Sequence, residues 1–195
     1  MVNLQKGGTV NLVKEAPGLE RIQIGLGWDP SSDASVEFDL DAIAYLLGAN
    51  GKVVSDEHFV FYNNLVSPDG SVIGANDDRT GNSSDGDDEV ITVNLSQVSS
   101  VVEQIVICVD IHDAESRGQN FGQVNDAFVR VVDLKNSEEI VKYDLTGDYS
   151  KSDSVIFGSL KRVGAEWEFT AIGDGRSGGI VQLLSLIHIS EPTRP

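Results

Sequence analysis

The segment from Asn76 to Glu89 has the residue types most suited to chemistry. It reads Asn-Asp-Asp-Arg-Thr-Gly-Asn-Ser-Ser-Asp-Gly-Asp-Asp-Glu, and Arg79 is its one basic residue. Two carboxylates about 6 Å apart repel each other by roughly 3 kcal/mol at an effective dielectric constant of about 20. Two interpretations are open: a solvated loop whose charges are screened by salt, or a loop that binds a cation.

A second acidic group lies in Phe38-Asp39-Leu40-Asp41. Because side chains alternate along a strand, Phe38 and Leu40 are expected to face the core, with both aspartates on the other face. Further oxygen donors are expected where neighbouring predicted strands end: Asp29, Asn63 and Asn64. A rigid edge of carboxylate and amide oxygens opposite a flexible acidic loop favours a hard cation.

The donor types also select among metals. Calcium takes about 6–8 oxygen ligands at flexible geometry, whereas magnesium requires stricter octahedral coordination. Zinc and copper prefer histidine and cysteine, and the chain has only three histidines and one cysteine. The carboxylates suffice for two calcium ions, but residues 85–89 lack the EF-hand spacing and no helix pattern flanks them. The predicted site therefore belongs to loops at one end of a β fold.

The sequence around these residues has apolar side chains at every second position, which is the pattern of β-strands. Alternating apolar residues predict strands over the following ranges: 9–14, 22–28, 36–40, 59–62, 91–95, 105–111, 128–132, 139–145, 155–160 and 167–172. Helical turns are predicted only at 46–47, 96–103 and 123–127. Short strands separated by glycine-rich turn signals indicate an all-β domain, either a β-sandwich or a barrel.

Composition excludes several classes of partner. The chain has 195 residues, 31 Asp and Glu against 14 Lys and Arg, and a formal net charge of −17. This charge argues against nucleic acid and anionic lipid as partners, because both require clustered basic residues. No apolar run is long enough for a membrane span and the N-terminus has no secretory pattern, so a cytoplasmic protein is expected.

We expect one domain over residues 1–182. The residues 183–195 follow no strand pattern and resemble a cloning read-through, so we exclude them from the functional argument. Residues 173–178 match a dinucleotide-binding pattern and 175–179 a nucleophile elbow, but we interpret both as a glycine-rich closing turn. Cys108 lies in an apolar run and is expected to be a small buried side chain.

Several motifs together resemble the TerD-type family of tellurium-resistance and calcium-binding stress proteins. The similarity extends from the N-terminus to about Val181. The segments that carry it are Lys6-Gly7-Gly8, Gly25-Leu26-Gly27-Trp28-Asp29, Phe38-Asp39-Leu40-Asp41-Ala42, Phe61-Tyr62-Asn63-Asn64, Ser67-Pro68-Asp69-Gly70-Ser71-Val72, the loop 77–89, Asn120-Phe121-Gly122-Gln123-Val124, Tyr143-Asp144-Leu145 and Glu166-Trp167-Glu168-Phe169-Thr170-Ala171-Ile172-Gly173.

The resemblance implies a β-sandwich of two sheets, with short helices in the connections and two calcium ions in loops at one end. It also implies a non-enzymatic role in stress resistance, exerted with other tellurium-resistance proteins as partners. The metal-ligand candidates carried over by position are Asp29, Asp39, Asp41, Asn63, Asn64, Asp77, Asp78, Gly81, Asp87, Asp88 and Glu89. The loop is one residue longer than the family pattern, which leaves the role of Asp85 open.

Two other functions are possible alternatives for an acidic chain of this kind: a metal-dependent hydrolase and a protein that binds or reduces tellurite directly. A metal-dependent hydrolase could use the acidic cluster, but it needs a general base and a substrate-binding cation, and the region offers only Arg79. A protein that binds or reduces tellurite directly would favour a redox pair of thiols, and the chain has a single cysteine.

Overall fold

The computed structural model describes residues 1–29, 38–74, 87–144 and 149–179. In chain order the strands are β1 (Val2–Asn3), β2 (Thr9–Asn11), β3 (Arg21–Asp29), β4 (Leu40–Leu47), β5 (Phe59–Val60), β6 (Val72–Gly74), β7 (Glu89–Asn94), β8 (Gln104–Ile111), β9 (Asn125–Asp133), β10 (Glu138–Asp144), β11 (Ser154–Val163) and β12 (Glu166–Arg176). The helices in these ranges are α1 (Leu12–Glu15), α2 (Ala114–Arg117) and two 3-10 turns (Asp56–His58 and Phe121–Gln123). None of them has the length and apolar character needed to cross a bilayer.

The described strands form two sheets. The first has the order β1-β10-β9-β3-β7-β6, and the second has the order β2-β12-β11-β8-β4-β5. Neighbouring strands are antiparallel, apart from the short parallel pair of β1 with β10. The inward side chains of both sheets belong to one apolar core cluster. The two-sheet sandwich is therefore confirmed, and the barrel is not formed.

Strand β3 shows how the alternating pattern builds the first sheet. Ile22, Ile24 and Leu26 are buried in the shared core. Since successive side chains of a strand point to opposite faces, Gln23 and Gly25 lie on the outer face of the sheet. The strands predicted over 22–28 and 91–95 are confirmed as β3 and β7.

Strand β4 departs from the prediction, because both of its faces are buried. Ala44 and Leu46 belong to the core between the sheets, whereas Ile43 and Tyr45 belong to a second cluster with Cys108. The sequence of a strand that is covered on both faces is a continuous apolar run without alternation. For this reason the helical turn predicted at 46–47 is wrong, and the strand begins at Leu40, where the predicted strand 36–40 ended.

The other predicted helical stretches also differ. Residues 96–103 form turns rather than a helix, and Arg162 donates hydrogen bonds to the carbonyls of Val98, Ser99 and Val102 there. In the stretch 123–127, only the end of a 3-10 turn is helical, and β9 begins at Asn125. The excluded segment 183–195 lies outside the described residues.

Asp69 organises the tight turn that precedes β6. Its Oδ1 accepts hydrogen bonds from Ser67 Oγ at 2.7 Å and Ser71 N at 3.0 Å, and its Oδ2 accepts one from Ser99 N at 2.7 Å. Partial burial raises the pKa of Asp69, but the hydrogen bonds from Ser71, Ser67 and Ser99 outweigh it and lower the pKa to about 2. The ionised carboxylate thus joins two loops.

The substitution Asp69→Asn is expected to lower the free energy of unfolding at pH 7 by roughly 1 kcal/mol, after allowance for solvent screening at this partly exposed group. A carboxyl with a depressed pKa stabilises the fold fully above its ordinary pKa of 3.8, and this stabilisation is lost as the pH falls toward about 2. Urea unfolding of both proteins between pH 7 and pH 2 should show the difference shrinking. The control Asp56→Asn, at an exposed aspartate, should change little at any pH.

Candidate metal site

Two predicted ligands from different sheets line one narrow notch. Asp41 is the second residue of β4, and Glu89 is the first residue of β7. Both lie in the lining of the notch, together with Phe61, Tyr62 and neighbouring residues. Asp41 is 7% exposed and Glu89 is 6% exposed. The fold therefore places two buried acidic residues that are 48 residues apart in the chain in the lining of one notch.

Asp41 has an acidic neighbour that the sequence analysis did not propose. In the pairing of β4 with β8, Asp41 lies directly opposite Asp110, and both residues are buried. Like charges at opposed positions of an antiparallel pair repel each other. The signal in the sequence is the position of Asp110 directly after the apolar run 105–109. His112 Nδ1 lies 3.5 Å from Asp41 Oδ2.

The residues next to Asp41 have the predicted arrangement. Phe38 and Leu40 are buried in the core between the sheets, and Asp39 between them is half-buried. The backbone carbonyl of Asp39 accepts a hydrogen bond from His112 N at 2.8 Å. This bond ties the start of β4 to the end of β8.

The two asparagines are not part of the notch. Asn64 Nδ2 donates to the carbonyls of Phe59 at 2.7 Å and Glu57 at 3.2 Å, which fixes the turn after β5. Asn63 is exposed. Neither residue is among those that line the notch, where the same turn contributes Phe61 and Tyr62 instead.

Asp87 lies on the outer face of the first sheet. Its Oδ1 accepts a hydrogen bond from Arg130 Nε at 2.7 Å, and its Oδ2 accepts one from Gln23 Nε2 at 2.9 Å. The hydrogen bond to Asp87 raises the pKa of Arg130 above its ordinary value. The carboxylate occupies the space above Gly25, where a Cβ atom would overlap it. Both oxygens of Asp87 are therefore engaged by protein donors.

Asp88 and Glu89, unlike Asp87, are attached to the backbone of strand β3. Asp88 Oδ2 accepts a hydrogen bond from Trp28 N at 3.0 Å, at an irregularity in the pairing of β3 with β9. Asp88 N donates to Leu26 O at 2.7 Å, and Glu89 then pairs with Leu26 in the β3–β7 ladder. Of the three consecutive acids, only Glu89 lines the notch.

The other predicted ligands lie outside the described residues: Asp77, Asp78, Gly81 and the side chain of Asp29. Asp85 also lies outside them. Among the residues that are described, no group of three or more His, Cys, Asp or Glu side chains is assembled to hold a metal ion.

The donor chemistry of the notch fits calcium. Carboxylate oxygens are hard donors of the kind that calcium prefers. Asp41 and Glu89 supply fewer oxygens than the about 6–8 that calcium takes. The remaining ligands would have to come from Asp39 and the acidic segment 75–86, which connects β6 to β7. Asp87 fits this role poorly, since a guanidinium already neutralises it.

The remaining motifs are structural. Residues 173–176 continue strand β12, so their interpretation as a closing turn is wrong. The chain bends at Ser177 and Gly178, and Asp153 accepts hydrogen bonds from the amides of Gly178 and Gly179 at 2.9 and 3.0 Å. Cys108 is fully buried, and burial raises the pKa of its thiol.

Comparison with known proteins identifies the family. The sequence model described as the TerD domain matches residues 1–186. The chain is 49% identical over 182 residues to tellurium resistance protein TerD of Serratia marcescens, covering 93% of this chain and 94% of that protein. It is 45% identical over 183 residues to general stress protein 16U of Bacillus subtilis, with 93% and 94% coverage.

The solved structures support the same fold. A crystal structure of a homologue of telluride resistance protein from Streptomyces coelicolor superposes with a TM-score of 0.70. That similarity covers 85% of this chain and 95% of the other at 24% sequence identity. The family model and the relatives above 40% identity make the assignment: this chain belongs to the TerD domain family of tellurium-resistance and stress proteins.

Proposed function

We propose that this protein is a calcium-binding, non-enzymatic stress-response protein of the tellurium-resistance type. The observation that carries the proposal is the notch that buried Asp41 and Glu89 line from two different sheets. In the chain, Glu89 shortly follows the acidic segment that joins β6 to β7. Family membership supplies the stress-resistance context, and the donor chemistry favours calcium as the cation.

Asp41 and Glu89 would hold calcium together with oxygens of the acidic segment. Bound calcium would supply the positive charge that lets the clustered carboxylates approach one another. The strand positions of Asp41 and Glu89 are fixed by backbone pairing to β8 and β3. The rigid part of the site therefore exists before the cation arrives, and the acidic segment would order against it into a surface for protein partners.

We propose other tellurium-resistance proteins as those partners. A non-enzymatic role is favoured over redox chemistry with tellurite, because the thiol of Cys108 is buried and its raised pKa disfavours the reactive thiolate. It is favoured over hydrolysis because the described residues that line the notch include no lysine or arginine that could bind an anionic substrate.

Calorimetric titration of calcium into the full chain, after removal of metal by a chelator, tests the proposal. We expect two sites with micromolar or tighter affinity, little competition from magnesium, and a raised unfolding temperature. At a hundredfold excess over Kd, binding to the folded state alone stabilises by ~2.7 kcal/mol. No binding at millimolar calcium would refute the proposal.

Glu89→Gln should remove one of these sites, because the substitution keeps the shape of the side chain but deletes a charged donor from the notch. The expected result is a stoichiometry reduced by one ion and a loss of most of the calcium-dependent stabilisation. The matched control is Glu168→Gln, on β12 and away from the notch. Equal calcium binding by both variants would exclude Glu89 as a ligand.

A further inference from the structure

An uncharged row of side chains crosses the outer face of the first sheet. Directly opposed residues of paired strands share a face of the sheet. On the outer face, Thr92 lies between Ile73 and Gln23. Gln23 also lies opposite Val132, and an isolated bridge places Val66 opposite Ile73. We call these five residues the outer row, and none of them carries a charge.

Within the described part of the chain, the outer row is not packed into an apolar cluster. One cluster fills the space between the sheets. The other lies on the outer face of the second sheet, where Val53 and Phe59 pack against β4 and β8. The outer row belongs to neither, and its edge residues Val66 and Ile73 are 48% and 43% exposed. Adjacent exposed apolar side chains on one face are typical of an interaction surface, whereas single ones are not.

The charges that flank the outer row cancel. The flanking cations and the carboxylates that pair with them are three of each sign: Arg21, Arg130, Lys142, Asp87, Glu139 and Asp144. Arg130 pairs with Asp87 at 2.7 Å and with Glu139 at 3.5 Å. Lys142 pairs with Asp144 at 3.4 Å. The row and its flanking charges therefore sum to zero, whereas the whole chain has a formal net charge of −17.

A charge-balanced patch can contact a copy of itself, which most of this acidic surface cannot. Two molecules that both carry a large negative charge repel each other. In an isologous contact both copies contribute the same patch, so a patch with a net charge repels its own copy. An uncharged row flanked by equal numbers of cations and carboxylates avoids this repulsion, and complementary charges at the rim fix the register. The outer face of the first sheet therefore suits a second copy of this chain.

The size of the face indicates a weak contact. From Val66 to Lys142 the face crosses five strand spacings of about 4.8 Å, or about 24 Å. Along the strands, the six residues of β7 span about 20 Å. Two such faces in contact bury about 1,000 Å² in total, whereas stable interfaces bury about 1,200–2,000 Å². This area fits a transient dimer.

We infer that the outer face of the first sheet is a self-association surface, through which two copies of this chain form a weak isologous dimer. The occupant of the face is the outer row of the second copy. All residues that carry this inference are described, and none of them lines the notch. The contact does not require calcium, so it stands or falls independently of the proposed function.

Analytical ultracentrifugation of the full chain, in buffer that contains a chelator, tests the inference. We expect a monomer–dimer equilibrium between about 10 μM and about 1 mM protein. Raising the salt from about 0.1 M to about 1 M shortens the Debye length from about 10 Å to about 3 Å, so the repulsion between the copies is screened and the dissociation constant should fall about fivefold. A dimer that weakens with salt would be held by exposed ion pairs, which overturns the inference. A chain that stays monomeric throughout overturns it in favour of a different protein as the occupant.

Ile73→Glu locates the contact, because it places a carboxylate in the outer row of each copy. We expect the dissociation constant of the dimer to rise at least about tenfold, since like charges brought together at an interface are unfavourable. The matched control is Val101→Glu, which adds the same charge at a 54% exposed valine outside this face and should change the dissociation constant less than about twofold. Val66→Glu repeats the test outside the named strands, and urea unfolding verifies that each variant is folded. Equal weakening by Ile73→Glu and Val101→Glu would show that net charge and not this face controls association, which overturns the inference.

Discussion

Replacement of Gly25 by alanine should lower the free energy of unfolding by about 3 kcal/mol. The Cβ atom would occupy the space that the Asp87 carboxylate now fills. The carboxylate must then leave, and its hydrogen bonds with Arg130 and Gln23 are lost. Hydrogen bonds to charged groups contribute about 1.5–3 kcal/mol each. Denaturant unfolding of the wild-type and variant proteins measures the difference.

The matched control is Gly48→Ala, at a glycine whose added Cβ would make only ordinary contacts, the nearest at 3.5 Å. It should leave stability nearly unchanged. If Gly25→Ala were as stable as the wild type, Asp87 would have relocated without cost. The outer-face attachment would then be irrelevant to folding.

Gly25 also shows why the role of Asp87 could not be predicted from the sequence. The period of two along β7 places Asp87 on the same face as Glu89 and Ile91. Asp87 instead precedes the strand, and its side chain turns to the opposite face because Gly25 leaves room and Arg130 offers a partner. Both partners are distant in sequence, so no local pattern could reveal them.

The fold was easier to predict from the sequence than the site, because most strands alternate between one buried and one exposed face. The neighbouring strands β4 and β8 are exceptions, because they lie between two apolar clusters and are buried on both faces. Composition could show that oxygen donors dominate the site. Which acidic residues become neighbours depends on pairing between strands: Asp41 lines the same notch as Glu89 and opposes Asp110 only in the folded sandwich.

Arg162→Ala should destabilise the fold by about 3 kcal/mol without affecting calcium. The guanidinium donates to the carbonyls of Val98 at 3.0 Å and Val102 at 3.2 Å. It also lies 4.4 Å from the centre of the Trp167 ring, on the neighbouring strand. These carbonyls belong to turns that lack helical hydrogen bonds, so truncation would leave them without their charged donor. Each such hydrogen bond contributes about 1.5–3 kcal/mol, and the cation–π contact about 0.5–2 kcal/mol.

Comparison with two further variants identifies the source of this effect. Lys161→Ala removes an exposed positive charge from the adjacent position and should cost little. Arg162→Lys keeps the charge but loses the planar fork that reaches two carbonyls and stacks on a ring, so it should recover less than half of the lost stability. Full recovery by lysine would show that charge alone stabilises the loop. The turns at 96–103 would then owe their stability to electrostatic attraction and not to directed hydrogen bonds.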